Sequence, residues 1–157
     1  MKQKILSFVV CRGKFLALRN NSKNIKHGGD FWFTVTGSVE DRETVKDAVK
    51  REIKEETNLD VNEIFPLNWK SIYSWNNNDY EEENFIAFVN KNKVILNEEH
   101  TDYKWLNIDE FTDIIKWDWK IKWDSNKIIL KKVLLYGLKR KKFFKKIKIE
   151  DFRKNPS

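Results

Sequence analysis

The sequence predicts an α/β (α+β) protein in which a mixed β-sheet is sandwiched between α-helices. Three observations carry that expectation. Short apolar, β-prone runs alternate with amphipathic helical runs along the chain. Turn-forming residues stand between neighbouring runs, where antiparallel hairpins would close. The chain has 157 residues, 40% of them apolar and 14% aromatic. That is enough for one domain with a substantial core, and too apolar for a disordered chain.

The elements follow in order. Residues 5–11 are apolar and residues 15–18 are again apolar, with Arg12-Gly13-Lys14 between them. This reads as a hairpin with a glycine-containing turn, and Arg19 ends its second strand. Residues 20–30 are polar with Gly28-Gly29, a loop in which His27 reads as a surface histidine and not a ligand. Residues 31–36 are aromatic and β-branched, a short strand that delivers the chain to Gly37. A glycine there lets the backbone approach a ligand closely. After a loop, Glu43 and Thr44 suit a helix start, where the dipole favours an acid. Val45, Ala48, Val49 and Ile53 recur at three- and four-residue steps, an apolar stripe that should bury the helix against a sheet.

Residues 62–67 contain Pro66 and read as a connector. Residues 69–75 alternate like a strand, 76–79 form a turn, and 84–90 hold a buried strand. Residues 91–97 read as a turn and a short strand. Glu98-Glu99-His100 is an acidic loop ahead of strand-like Tyr103-Lys104-Trp105-Leu106. Asn107 opens a helix whose face continues through Ile114 and Ile115. A last amphipathic helix is expected over 125–138, with Ile128, Ile129, Val133 and Leu134 inward.

Charge divides the chain unevenly. Residues 137–157 hold nine Lys/Arg against two acids, which equals the net +7 of the whole chain. We therefore expect a neutral domain over 1–138 and a basic C-terminal extension over 139–157. The extension interleaves lysines with Phe143-Phe144, a pattern that can bind nucleic acid. A solvated extension is the favoured reading. The single cysteine, Cys11, excludes an internal disulfide and every Cys-rich metal framework, and reads as a small buried hydrophobe. No apolar run approaches the roughly 20 residues that span a membrane. The N-terminus is too charged for a secretory signal, so the chain reads as cytoplasmic.

The chemistry concentrates in Arg51-Glu52-Ile53-Lys54-Glu55-Glu56. On a helix, at about 100° per residue, Glu52 and Glu56 lie one turn apart with Glu55 beside them. Like charges that close destabilise an isolated helix, a cost that makes sense where a cation sits. A solvated acidic face is the other reading of these six residues taken alone. The wider pattern decides between them: Gly37, five residues, Glu43, seven residues, Arg51-Glu52, apolar Ile53, Lys54, Glu55-Glu56, two residues, apolar Leu59. Six specified residues and two apolar ones arise by chance on the order of 10⁻⁸ per starting position at average usage. The pattern resembles the box of the Nudix hydrolases. The family's glycine is replaced by Asn58, and asparagine is the next best residue for a left-handed helix stop.

Flanking motifs narrow the resemblance. Phe31-Trp32, then Val35-Thr36-Gly37-Ser38-Val39-Glu40, and downstream Glu99-His100 with Tyr103-Lys104-Trp105-Leu106, resemble the dihydroneopterin triphosphate pyrophosphatase group, which overlaps with dATP pyrophosphohydrolases. Trp123-Asp124-Ser125-Asn126 is a weaker match. The resemblance spans about residues 5–135. It implies the Nudix fold and a Mg²⁺ cofactor, with Mn²⁺ the alternative. Glu52, Glu56 and Glu99 would be ligands, Glu55 a further one, and the Gly37 carbonyl a contributor. It also implies that Arg51 orients Glu52, that Glu43 pairs with Arg51, that Thr36 contacts substrate, and that a basic residue such as Arg19 meets phosphate. A solvated strand end is the other reading of Arg19.

The implied reaction is hydrolysis of a small-molecule nucleoside triphosphate of purine or pterin type to monophosphate and pyrophosphate. Glu99 is favoured as general base over Glu52. Trp32, Phe33, Tyr73, Trp75 and Phe85 are candidate stacking partners for a flat base. Two other readings stand beside this one. The first is an oxidised-nucleotide or diadenosine polyphosphate hydrolase. Its diadenosine form is disfavoured because Val35-Thr36-Gly37 stands where those enzymes carry Pro-Lys-Gly. The second is a non-catalytic nucleotide- or RNA-binding module, disfavoured because the box carboxylates are intact. The sequence leaves oligomeric state and base specificity open.

Overall fold

Strand β1 (Lys2–Cys11) runs between two apolar layers. Leu6, Phe8 and Val10 enter one core, while Ile5, Val9 and Cys11 enter the other. Alternate residues of a strand face opposite sides, so a strand covered on both faces reads as a continuous apolar run. The computed structural model describes residues 1–21, 23, 29–117 and 127–140. Around β1 it assembles β2 (Lys14–Asn20), β3 (Trp32–Phe33), β4 (Val35–Ser38), α1 (Val45–Thr57), β5 (Val61–Trp75), β6 (Asn78–Val89), β7 (His100–Leu106), α2 (Ile108–Ile114) and α3 (Lys127–Lys139). His27, Trp123-Asp124-Ser125-Asn126 and the basic extension from 141 onward lie outside the described residues.

The sheet is mixed, in the order β3-β2-β1-β6-β5, with β4 also on β1 and β7 also on β2. Only β1 and β6 pair in parallel; the other pairs among the described residues are antiparallel. Helix α1 packs on one face through Ala48, Val49 and Ile53. On the other face, Phe111 of α2 and Leu130, Val133 and Leu134 of α3 join Phe8, Phe33, Trp69 and Trp117. The expected sheet between helices is thus observed, as is the hairpin across Arg12 and Gly13. Cys11 is buried, as read.

Four local expectations are corrected. Residues 62–67 are not a connector but the first half of β5. Pro66 is tolerated there because β5 is the last strand of the order, and an edge strand has a side on which no ladder donor is needed. The register slips between Pro66 and Lys70, where Asn68 takes φ +52°. Residues 91–97 form no strand. Instead Ile95 N–H donates to Thr57 C=O at 3.0 Å and Val94 is buried, so the segment caps the end of α1. The run 31–36 breaks into β3 and β4 at Thr34, whose hydroxyl donates to the Ser7 carbonyl at 2.7 Å. In α3, Ile128 points out at 64% exposure and Leu130 points in. Three successive apolar residues allow either phase of the helix, and tight packing of Gly137 on Ile86 and Leu67 selects this one. Arg140 stands within the range expected for the basic extension. It is buried, with its guanidinium 5.6 Å from the Phe65 ring centre.

Helix α1 begins at Thr44, whose side chain accepts from Asp47 N–H at 3.1 Å. It ends at Asn58, in the left-handed region at φ +62°, with its N–H donating to Lys54 C=O at 2.9 Å. The asparagine thus performs the stop expected of it. Replacing Asn58 by alanine should lower unfolding free energy by about 1 kcal/mol, because a Cβ without a polar group pays the left-handed penalty uncompensated. Urea denaturation of Asn58→Ala beside Asn58→Gly, which should retain wild-type stability, checks this.

Candidate active site

Helix α1 carries its apolar stripe into the core, and this fixes where its acidic residues go. Ala48, Val49 and Ile53 are fully buried. Glu52 and Glu56, one turn apart, then face a cleft of about 430 Å³ that the ends of β1, β4, β5 and β6 help to enclose. Glu99 and His100 reach the same cleft from the start of β7. The loop that carries them is pinned. Asn21 N–H donates to Glu99 C=O at 3.0 Å, Asn21 Nδ2 to Glu98 C=O at 3.1 Å, and Glu99 N–H to Asn97 Oδ1 at 3.0 Å.

Arg51 holds the acidic face in order. Its Nε and Nη2 grip Glu43 at 2.7 and 3.0 Å. Nη2 also reaches Ser38 C=O at 2.8 Å, and Nη1 reaches Glu52 Oε1 at 2.9 Å and Glu55 Oε2 at 3.3 Å. The hydrogen bond to Arg51 holds the Glu43 carboxyl down to about 2. The same pairing, led by Glu43, raises the guanidinium. Gly37 makes room for this arrangement. A Cβ there would fall 2.1 Å from Glu52 Cδ and 2.2 Å from its Oε1.

The charge balance worsens with depth. Burial raises the Glu52 carboxyl, against the opposing pull of Arg51. Burial raises Glu56 well above the usual carboxylate range, and the negative charges of Glu99, Glu52 and Glu55 add to it. Glu56 is 2% exposed and its Oε2 has no hydrogen-bond partner among the described residues. His100 Nδ1 stands 3.7 Å from Glu56 Oε1. Ligand atoms of Glu56, Glu99 and His100 lie within 4.8 Å of one another. A buried carboxylate oxygen left without a donor, in a cluster of acids, fits a cation. An oxygen-rich donor set of this kind suits a hard divalent ion.

The residues singled out from sequence do not all meet here. Thr36, Gly37, Glu52, Glu56 and Glu99 line the cleft. Arg51 and Glu43 stand behind it as the brace. Glu55 is 54% exposed on the outer side of Arg51 and is not part of the lining. Arg19 is also outside the lining. It makes a two-pronged pair with Asp30 at 2.9 and 2.8 Å, and reaching a substrate would require breaking that pair. Of the candidate stacking residues, Phe33, Tyr73 and Trp75 line the cleft. Phe85 is core beside α1, and Trp32 lies under the Lys104 ammonium instead. Sequence reasoning gave no lining role to several others, among them Lys4, Asn20, Phe31, Tyr80 and His100. Of these, Phe31 and His100 stood in the flanking motifs, whereas Lys4, Asn20 and Tyr80 carried no signal.

A family model for the NUDIX domain matches residues 1–128. The chain belongs to the Nudix family. Among curated relatives, the Nudix chain is similar to the dihydroneopterin triphosphate diphosphatase of Haemophilus influenzae. The two are 30% identical over 102 residues, covering 55% of this chain and 64% of that protein. The Escherichia coli K12 protein of the same name is 59% identical over 32 residues, and the match spans 21% of its length. The chain thus spans less than two thirds of the curated relatives it matches. Its fold is similar to the solved E. coli dihydroneopterin triphosphate pyrophosphohydrolase, with TM-score 0.60, 23% identity and coverage of 73% of this chain and 86% of that one. A Caenorhabditis elegans Ap4A hydrolase superposes with TM-score 0.64 at 20% identity, covering 88% and 98%. Backbone shape alone therefore does not separate these substrate classes. Among the described residues no helix is long and apolar enough to cross a membrane.

Two outcomes follow from this geometry. Gly37→Ala should fold normally, because the displaced atoms belong to the end of one side chain, yet lose divalent-ion affinity because Glu52 must leave its place. Calorimetric titration with Mg²⁺ and a thermal melt on the same sample measure both. The second outcome concerns pH. Glu56 keeps its proton to a higher pH when folded than when unfolded, so in the metal-free protein this group contributes most stability below the ordinary carboxylate range. It loses that stability as pH rises through the raised value. A divalent ion held by this cluster would bind the ionised form, so a rise in melting temperature on adding Mg²⁺ should grow with pH, which melts with and without chelator would show.

Proposed function

We propose that this Nudix chain is a divalent-metal-dependent pyrophosphohydrolase. Its substrate would be a nucleoside triphosphate of pterin or purine type, cleaved to monophosphate and pyrophosphate. The observation that carries the reading is the buried, partnerless oxygen of Glu56 among Glu52, Glu99 and His100, at the inner end of a cleft with aromatic walls. The names of the H. influenzae and E. coli relatives support the substrate class.

Mg²⁺ is the proposed ion, with Mn²⁺ the alternative. Glu52, Glu56 and Glu99 would hold it, with the Gly37 carbonyl as a further ligand; Glu55 would join them only by leaving its bond to Arg51. When bound, such an ion screens the phosphate charge and makes an attacking water easier to deprotonate. The remaining work falls to the protein. Transfer at phosphorus needs positioning and charge stabilisation more than covalent help. Arg51 keeps Glu52 oriented through the 2.9 Å bond. Thr36 contacts the substrate at the cleft wall. Glu99 takes the proton from the attacking water onto a carboxylate oxygen. We favour it over Glu52 because one Glu52 oxygen is already committed to Arg51, whereas Glu99 sits on a pinned loop at the cleft. The basic extension has no part in this chemistry.

A panel of dihydroneopterin triphosphate, GTP, dATP, 8-oxo-dGTP and diadenosine tetraphosphate, assayed with Mg²⁺, tests the reading. Pyrophosphate should be released from intact triphosphates, and a chelator should abolish it. Orthophosphate as the product, or preference for the dinucleotide, would refute it. Glu56→Gln should nearly abolish turnover with the fold intact by circular dichroism. Glu99→Gln should lower kcat by about 10²–10⁴-fold, the usual worth of a general base, and Glu52→Gln tests the competing assignment.

A further inference from the structure

Three registered sets of side chains cross the sheet face that looks into the cleft. Thr36 pairs with Leu6, and Leu6 with Asn84. Lys4 pairs with Glu82, and Glu82 with Ser71. Tyr73 pairs with Tyr80. Residues directly opposite one another on paired strands project to the same side of the sheet. Thr36, Lys4, Tyr73 and Tyr80 all line the cleft. Asn84, Glu82 and Ser71 therefore project to that same side of the sheet, behind the residues that line the cleft itself.

These deeper groups are polar and buried. Asn84 and Glu82 are each 1% exposed and Ser71 is 4% exposed. Both amide atoms of Asn84, Nδ2 and Oδ1, have no hydrogen-bond partner among the described residues, and neither has Ser71 Oγ. Glu82 Oε2 accepts from the Tyr73 hydroxyl at 3.2 Å. An unmade hydrogen bond at a buried group costs about 1–3 kcal/mol, and native proteins keep few. Three such atoms beside one carboxylate, on the sheet face that borders the cleft, are candidates for partners that a ligand supplies.

The shape and the donors narrow the ligand. Tyr73 and Tyr80 stack with ring centres 5.4 Å apart at the rim, and the Lys4 ammonium stands 5.0 Å from the Tyr80 ring centre. A flat ring is the natural guest. A carboxylate accepts only, and an amide offers a donor beside an acceptor. Their complement is an edge with adjacent N–H donors next to a carbonyl. The 2-amino-4-oxo edge shared by guanine and the pterins has that order. Adenine instead sets ring-nitrogen lone pairs beside its amino group, and these would face the carboxylate.

We propose that Asn84, Glu82 and Ser71 form the heterocycle-recognition subsite, selecting a 2-amino-4-oxo ring over adenine. The inference rests on the pyrophosphohydrolase reading for what the ring is attached to, and on the buried polar groups for the ring itself. In it, the Glu82 carboxylate accepts from the ring N–H and amino groups, Asn84 Nδ2 donates to the ring carbonyl, and Ser71 completes the contact.

The test separates the two claims. Binding of GMP, neopterin and AMP to the full chain in chelator, followed by tryptophan fluorescence, reads the subsite without turnover. The wild-type protein should prefer GMP and neopterin, and the difference between those two arms says which ring fits better. Asn84→Leu should weaken both by up to roughly ten-fold, the worth of one hydrogen bond to the ring carbonyl. It should leave AMP unchanged and melt no lower than wild type, since a partnerless amide has been removed. Glu82→Gln keeps the shape and an acceptor for Tyr73, and should lose the same preference if Asn84→Leu does not fold. The proposal is overturned if GMP and neopterin do not bind, if AMP binds as well as they do, or if both folded variants keep the wild-type ratio, in which case the amide holds only water. Base binding that depends on Asn84 without any triphosphate cleavage would sink the activity and keep the subsite. Cleavage with equal kcat/KM for GTP and ATP would do the reverse.

Discussion

One guanidinium organises the acidic helix. Arg51 has five N–H donors in a planar fork, and five acceptor atoms meet them: two on Glu43, one each on Glu52 and Glu55, and the Ser38 carbonyl. The acceptors come from the end of β4, the loop before α1 and α1 itself, so the side chain ties the helix to the strand and turn that enter it. Lysine could not replace it, because a point charge with three donors reaches neither the span nor the geometry. With Arg51 in place, Glu52 turns toward Gly37 rather than away from its like-charged neighbours. The missing Cβ of Gly37 is the other half of the same constraint, since nothing larger leaves space for the Glu52 carboxyl.

Burial then does what charge alone would not. Val49 and Ile53 press α1 into the sheet, and the carboxylates one turn apart acquire fixed positions. Glu56 ends up inside, at 2% exposure, and is not among the acceptors of Arg51. Its closest cationic candidate is His100, at 3.7 Å. The gradient from a doubly gripped Glu43, in the turn before α1, to a Glu56 with one partnerless oxygen runs down the helix. Its unsatisfied end opens into the cleft.

Much of this was legible in the chain. The spacing of Gly37, Glu43, Arg51, Glu52 and Glu56 encodes local contacts on one helix and its entry turn, and local spacing is what a sequence displays directly. The β1–β2 hairpin and the capping of α1 were readable for the same reason. What failed was tertiary. Pro66 reads as a breaker until the strand that holds it is known to be an edge. Ile128 and Leu130 compete for one apolar phase, and only contact with Ile86 and Leu67 decides. Arg19 fits a phosphate role by position, but Asp30, on the far side of a loop, claims it. The cleft wall was the least legible part. Lys4 and Asn84 lie far apart in sequence and carry no shared motif, and only the parallel register of β1 with β6 brings their layers together.

That parallel pairing has a kinetic consequence. Residues 2–10 align with residues 80–88, so most of the first half of the chain must be threaded or collapsed before the two strands meet. Pairings between segments so remote form slowly, because the entropy of closing the intervening loop is lost before any contact repays it. The helix with its acidic face can organise early from neighbouring residues. The wall opposite it exists only once the ends of that long loop have closed, so a nascent chain released before residue 88 would carry the acids without the chamber they serve.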